Sequence, residues 1–149
     1  LDNASNYDVE IIAINITKET ETSSFSFYLE QEEKAQTTFS KVKKCVYEPN
    51  ASILNSGAFK LVAERYKLDK LHPNTHLYAS DDQLDSFPGR CFKVVEAPFS
   101  KANIISRNHP FTPNKLAKKY KIKVGAKNEF LLAFTDIEKP KVVFAEQIN

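Results

Sequence analysis

The segment LDKLHPNTHLYASDD (68–82) brings together side chains that could perform acid–base chemistry or bind a metal. His72 and His76 stand four residues apart, and two aspartates follow them. Imidazole and carboxylate groups are common zinc ligands and common general acids and bases. On a helix this spacing would place both imidazoles on one face. Pro73 lies between them, however, and proline disfavours helix at the residue before it.

We therefore interpret HPNTH as a structural turn held by hydrogen bonds to its imidazoles. Asn and Pro are favoured turn residues. No cysteine or third histidine follows at a spacing typical of metal ligands. The alternatives are a metal site, or a small ribonuclease with His72 and His76 as its acid and base.

A second group of side chains with chemical potential is basic. Residues 99–128 contain eight lysines and arginines and no carboxylate, whereas residues 1–40 contain eight carboxylates and two lysines, a net charge of −6. Lysines neutralise nucleic-acid phosphates, and aromatic rings such as those of Phe111 and Tyr120 can stack on unpaired bases. The basic segment therefore predicts an anionic partner. The alternative is a solvated helix face.

The candidate nucleic-acid contacts combine these lysines with residues at turns and strand ends. Arg107 and Asn108 come at the end of a predicted strand, and Arg90 lies in the turn FPGR. Their alternative role is structural, in an ion pair or in turn hydrogen bonds. The full set is Arg90, Arg107, Asn108, Lys115, Lys118, Lys119, Lys121 and Lys123.

Length and composition limit the function classes. The 149 residues are 42% hydrophobic and 27% charged, which predicts one domain of ordinary size or one with a small appendage. No apolar run approaches the roughly 20 residues that span a bilayer, and we expect a cytoplasmic protein without membrane contact. The chain begins at Leu1 and contains no methionine, so we interpret it as a piece of a longer protein.

The two cysteines and three glycines limit the kinds of cofactor and redox site that the sequence predicts. We expect Cys45 and Cys91 to be reduced, buried thiols, with a single disulfide between them as the alternative. The isolated glycines, Gly57, Gly89 and Gly125, provide no glycine-rich turn of the kind that cofactor sites use. We therefore assign no catalytic residue, no metal ligand and no bound cofactor to this chain.

The hydrophobic patterns and turn residues of the sequence predict an α+β fold made mostly of strands, which must position these side chains. Strands are predicted over 8–16 and 23–30, paired as a hairpin. Further strands are predicted at 76–79, after the turn at 87, at 101–108 and twice within 129–148. QEEKAQ is predicted as a charged loop. One amphipathic helix is predicted over 51–68, capped by Asn50 or Ser52 and containing Gly57. A second begins with Thr112 as its cap and Pro113 at its first position.

A longer series of motifs resembles a known domain family. YEPNASILNSGAFKLVAERYKLDKLHPNTHLYASDD, then FPGR, then KANIISRN and TPNKLAKKYKIK, resembles the THUMP-like domain at the C-terminal end of a group of bacterial S-adenosylmethionine-dependent methyltransferases. The preceding β-rich segment resembles the small ferredoxin-like domain of these proteins, a name for a fold that implies no cluster. The resemblance divides the chain into a ferredoxin-like linker domain at 1–44 and a THUMP-like domain at 45–149, with about two main helices and a mostly antiparallel sheet.

The resemblance implies a role beside a catalytic domain. RNA, either tRNA or rRNA, is the implied partner, and the implied methyltransferase domain, N-terminal on the same polypeptide, would hold S-adenosylmethionine. Similar sequences have a longer, lysine-bearing segment where this chain has only 97–101. The alternative is a structural module that packs on the methyltransferase domain without touching RNA.

Overall fold

The first unit of the fold is a two-stranded ribbon. The structure, a computed structural model, describes residues 8–18, 22–96 and 98–149. Strand β1 (Glu10–Ile16) pairs antiparallel with β2 (Thr22–Tyr28), which confirms the predicted pairing. Part of the polar connection between them lies outside the described residues.

A short helix, α1 (Leu29–Lys34), follows the ribbon where we predicted a charged loop. That prediction was wrong because local polar contacts hold this turn. The Gln31 side chain accepts a hydrogen bond from the backbone N–H of Tyr28 at 2.8 Å, and Glu30 pairs with Lys34 one turn later. The helix buries none of its residues, so it lacks the apolar stripe by which helices are recognised in sequence.

The remaining elements form one sheet with three further helices in the described ranges. In chain order they are β3 (Thr38–Phe39), β4 (Cys45–Pro49), α2 (Ala51–Ser56), α3 (Phe59–Tyr66), β5 (Asp69–His72), β6 (Thr75–Ser80), β7 (Gly89–Val95), β8 (Lys101–Arg107), α4 (Pro113–Tyr120), β9 (Lys123–Val124), β10 (Glu129–Thr135) and β11 (Pro140–Gln147). The strand order is β3-β5-β6-β4-β7-β11-β10-β8-β9. Pairing is antiparallel except at β3/β5, β8/β10 and β8/β9, so the predicted α+β fold with a mostly antiparallel sheet is confirmed.

The single helix predicted over 51–68 is two helices. Gly57 adopts φ +82° and its N–H bonds to the carbonyl of Leu54, which ends α2. A left-handed residue of this kind is the usual helix terminator, and glycine adopts it without steric cost. Asn50 occupies the predicted cap position of α2, but its side chain makes no capping hydrogen bond.

The sheet bends so that its two halves pack against each other. We call β3-β5-β6-β4-β7 the first half-sheet and β11-β10-β8-β9 the second. One buried cluster joins Leu71, Leu77 and Val46 of the first to Leu132 and Phe134 of the second. We call it the inner core. The outer face of the first half-sheet carries α2, α3 and the ribbon, and that of the second carries α4.

The histidine segment forms the hairpin between β5 and β6. His72 pairs with Thr75 across a two-residue turn, and its Nδ1 accepts from the backbone N–H of Asn74 at 3.0 Å. The turn interpretation is therefore confirmed for His72. His76 differs, because its ring stacks on Phe59 with centroids 3.9 Å apart and its buried Nδ1 has no partner in the described residues.

The two imidazoles lie on opposite faces of the hairpin, since paired residues share a face and His76 follows the pair. This arrangement does not form an acid–base pair. Burial, and then the charge of Lys70, lowers the pKa of His76. Cys45 and Cys91 are buried free thiols, as predicted. None of the helices in the described ranges has the length and hydropathy needed to cross a membrane.

Candidate nucleic-acid interface

Helix α4 positions most of the basic residues. The Thr112 hydroxyl accepts from the backbone N–H of Lys115 at 3.3 Å, and Pro113 occupies the first turn, which confirms the predicted start. Leu116 is buried against the second half-sheet. Lys121 ends the helix with φ +52°, and the chain then enters β9. The helix is thus fixed at both ends and along one apolar side.

The lysines of this region are exposed and carry unneutralised charge. Lys115, Lys118 and Lys119 are three and four residues apart, so they share one face of α4. With Lys101, Lys121, Lys123 and Lys127 they make seven exposed lysines, and within the described ranges none of these seven has a carboxylate oxygen within ion-pair distance. We call Lys115, Lys118, Lys119 and Lys121 the lysine surface.

An aromatic ring lies next to the lysine surface. The Nζ atoms of Lys115 and Lys119 stand 5.2 and 4.9 Å from the centroid of the Phe111 ring, which is cation–π distance. Phe111, Tyr120 and His109 line a groove of about 250 Å³ there. Burial lowers the pKa of His109, and its Nδ1 accepts from the backbone N–H of Phe111 at 3.0 Å. The groove thus offers aromatic rings close to the ammonium groups of Lys115 and Lys119.

The lysines at the start of β8 and in β9 face away from α4. Lys101 and Lys123 are paired across the two parallel strands, so their side chains share one face of the sheet. Ala102, the next residue, is buried in the cluster that contains Leu116 of α4. The basic segment therefore covers both sides of this sheet edge.

Arg90 and Arg107 are held by a buried carboxylate. Glu48 accepts from Arg107 Nε at 2.8 Å through one oxygen, and from Arg90 Nε at 3.1 Å and Nη2 at 2.5 Å through the other. The Glu48 side chain is 7% exposed, against 39% and 48% for the two arginines. These contacts are the ion pair that we weighed as the alternative role of the two arginines.

Glu48 is the residue of this site that sequence reasoning missed. From the sequence we used YEPN in the family resemblance and Asn50 as a helix cap, and we gave Glu48 no role of its own. A carboxylate inside the otherwise apolar strand CVYEP was the available signal, because buried carboxylates need partners. Gly89 also belongs here, since a Cβ atom on it would lie 2.1 Å from the Glu48 carbonyl oxygen.

Asn108 has a defined structural position. It adopts φ +51°, its side-chain amide donates to the Thr75 hydroxyl at 3.0 Å, and its carbonyl accepts from the Thr135 hydroxyl. It thus links the ends of β6, β8 and β10. The structure places Lys115, Lys118 and Lys119 on one face of α4, with Lys121 at its end, and Lys123 on the opposite side of the sheet edge. It places the two arginines on Glu48 and Asn108 at the strand ends. A contact of any of these residues with RNA stays a prediction. The described residues contain no cluster of three or more metal-ligating side chains.

Comparison with known proteins identifies the domains. The chain matches a ferredoxin-like domain family over residues 46–88 and a THUMP domain-like family over 89–147. Both domains were implied by the resemblance. The matched ranges meet between residues 88 and 89, so the segment 46–88, which we predicted as part of the THUMP-like domain, matches the ferredoxin-like family. The division at residue 44 stays a prediction. No curated protein sequence matches the chain.

A solved structure extends the comparison. The crystal structure of a putative methyltransferase from Porphyromonas gingivalis W83 aligns with a TM-score of 0.83 and 36% sequence identity, over 95% of this chain. The alignment covers 38% of that protein, so this chain spans well under half of its length. The chain therefore contains a ferredoxin-like domain followed by a THUMP-like domain.

Proposed function

We propose that this chain binds RNA, either tRNA or rRNA, and positions it for a methyltransferase domain on the same polypeptide. The observation that carries the proposal is the lysine surface, whose exposed charges have no carboxylate partners in the described residues. The THUMP domain-like match and the methyltransferase neighbour support it. The methyltransferase domain would bind S-adenosylmethionine, and the protein would act in the cytoplasm.

The physical basis is electrostatic capture. Each lysine that neutralises a phosphate releases condensed counterions, so affinity falls as salt rises. The ring of Phe111, with two ammonium groups about 5 Å from it, adds a surface on which an unpaired base can stack. Capture of this kind is largely independent of sequence, and it suits a domain that holds a substrate while another domain performs the chemistry.

The test is binding to total bacterial tRNA at two salt concentrations. We expect micromolar affinity that falls with salt, and a loss of about tenfold or more in Lys118→Glu/Lys119→Glu, because two phosphate contacts become repulsive. Lys67→Glu/Lys93→Glu is the matched control, since it makes the same charge change at two exposed lysines that have no ion pair in the described residues. Absence of binding at low salt, or an equal loss in the control, would contradict the proposal.

A second candidate function rests on a different surface. Ile12, Ile14 and Ile16 of β1 are 54%, 52% and 79% exposed, and they share the outer face of the ribbon. We propose as the alternative that this face packs against the methyltransferase domain. In that case the chain is a structural module that does not bind RNA.

A further inference from the structure

Glu48, Arg90 and Arg107 line a pocket of about 330 Å³ that the lysine surface does not include. Each of the three lies two residues along a strand from a member of the inner core, which contains Val46, Phe92 and Ile105. Alternate residues of a strand share a face. The three charged side chains therefore close one end of the inner core, where the two half-sheets meet.

The two guanidinium groups keep free donors. A guanidinium group has five N–H bonds. Arg90 gives two to Glu48, while Arg107 gives one to Glu48 and one to the Ser106 carbonyl at 3.2 Å. Each arginine therefore retains three N–H donors. The side chain of Asn50, which also lines the pocket, has no hydrogen-bond partner in the described ranges.

The positions of these donors are fixed before any ligand arrives. Glu48 holds both guanidinium groups, and the Arg90 group also lies 5.5 and 5.7 Å from the ring centroids of Phe92 and Phe130. The three charged residues carry a net charge of +1, and Glu48 is the sole carboxylate among the residues that line the pocket. A preorganised fork of donors with excess positive charge is suited to a planar or tetrahedral oxyanion.

We propose that this pocket binds one phosphate group of the RNA strand. That the phosphate belongs to RNA rests on the proposed function. The carboxylate of Glu48 orients the arginines and does not contact the RNA. The phosphate is an internal phosphodiester or a terminal monoester, because both present the oxygens that the guanidinium donors require. Arg90 and Arg107 thus have a structural contact and a free ligand-binding side at the same time.

The first measurement uses the unmodified chain. The Nε–Hε resonances of Arg90 and Arg107 are followed by NMR while inorganic phosphate is added at constant ionic strength, with chloride as the comparison ion. We expect both resonances to shift and to saturate with phosphate and not with chloride. Resonances that stay in place would overturn the inference, and this result does not depend on any variant folding.

The second measurement uses RNA. Arg107→Lys and Arg90→Lys keep the charge and remove the fork, so each is expected to weaken binding of a short oligonucleotide by about tenfold. Unchanged affinity in both variants would overturn the assignment to RNA. The oligonucleotide is used with and without a 5′-phosphate. Equal losses assign an internal phosphate, and a loss seen only with the 5′-phosphate assigns a terminal one.

The variant Glu48→Gln separates orientation from charge. Attraction by charge alone predicts tighter phosphate binding, because the net charge of the pocket rises by one. If Glu48 orients the arginines, the Glu48→Gln variant should bind inorganic phosphate at least threefold more weakly than the native chain. Tighter binding would overturn the role given to Glu48. A chain that binds no RNA would defeat the proposed function, whereas a chain that binds RNA while both arginine resonances stay fixed would defeat this inference alone.

Discussion

Lys70 is a buried lysine in strand β5. It is 2% exposed, and its Nζ donates to the carbonyls of His72 and Pro73 at 2.8 Å each. Burial lowers the pKa of Lys70 to about 8, because a charged amine loses its hydration there. The side chain holds the His72–Thr75 turn from its inner side through neutral carbonyl partners. A buried amine with no carboxylate partner in the described residues couples the stability of the fold to pH.

We predict that Lys70→Met changes the pH dependence of stability in a defined window. The pKa of lysine in an unfolded chain is about 10.4, so between pH about 8 and about 10.4 the unfolded state binds more protons than the folded state. The free energy of unfolding of the native chain should therefore rise through this window relative to that of the variant. Urea midpoints of both chains at pH 7.5 and 9.5 provide the measurement.

The comparison must be between the two chains, because other groups titrate in the same range. Burial raises the pKa of the Cys91 thiol to about 11, which has the opposite effect on stability as pH rises. That contribution is common to both chains and cancels in the difference. Parallel pH profiles for the native chain and the variant would contradict the prediction.

At the scale of elements, the sequence was informative where pattern and capping agreed. Thr112 and Pro113 mark the start of α4, and alternation together with turn residues marked the C-terminal strand pair. Helix α1 was missed because its stabilising contacts are polar, so it has no apolar periodicity. Some of them are also distant in sequence, since the Glu32 carboxylate accepts from two backbone N–H groups at the start of α3. The sequence predicts Gly57 inside a single helix, whereas Gly57 ends one helix before another begins. Choosing between these two roles requires its φ angle, which sequence does not supply.

The exposed face of the ribbon leads to a prediction at this scale. Ile12→Ser/Ile14→Ser should leave the free energy of unfolding of the isolated chain within about 0.5 kcal/mol, since both side chains are more than half exposed. In a longer polypeptide that carries the methyltransferase domain, the same change should speed proteolysis between the two parts if the face is a docking surface. Limited proteolysis of both forms is the measurement.

Val124→Ser is the matched control for this experiment, because Val124 is 61% exposed on the edge strand β9. It should leave proteolysis unchanged. The docking alternative would lose its support if Val124→Ser changed the rate of proteolysis as much as Ile12→Ser/Ile14→Ser. It would also lose its support if the isoleucine pair had no effect on that rate.

At the scale of the whole molecule, the two matched domains are parts of one sheet. Residues 46–88 and 89–147 meet where β4 pairs with β7, and the inner core takes residues from both. Sequence pattern identified most of the strands, but the bend of the sheet depends on pairing between distant strands. The Glu48 contacts were missed for the same reason, since Arg90 and Arg107 are 42 and 59 residues away along the chain.

We predict that the two domains unfold as one cooperative unit. Val46 is fully buried in the inner core with Leu132 and Phe134, so Val46→Ala should cost about 2 kcal/mol and lower the stability of both domains. Urea unfolding followed by NMR at Leu77 in β6 and Leu132 in β10 should give one midpoint in each chain. Two separate midpoints, or a shift at Leu77 alone, would contradict this prediction.

The close approach at Gly89 has a consequence for how the protein would select its target. The backbones of β4 and β7 lie so near at this point that even a methyl group would collide with the Glu48 carbonyl, and the ladder continues without a flexible joint. Under the proposed function, the chain would act as a ruler of fixed length. An RNA held at α4 would present to a distant catalytic centre whichever nucleotide lies at the right reach, so that measured distance, rather than base identity, would set the position that is modified.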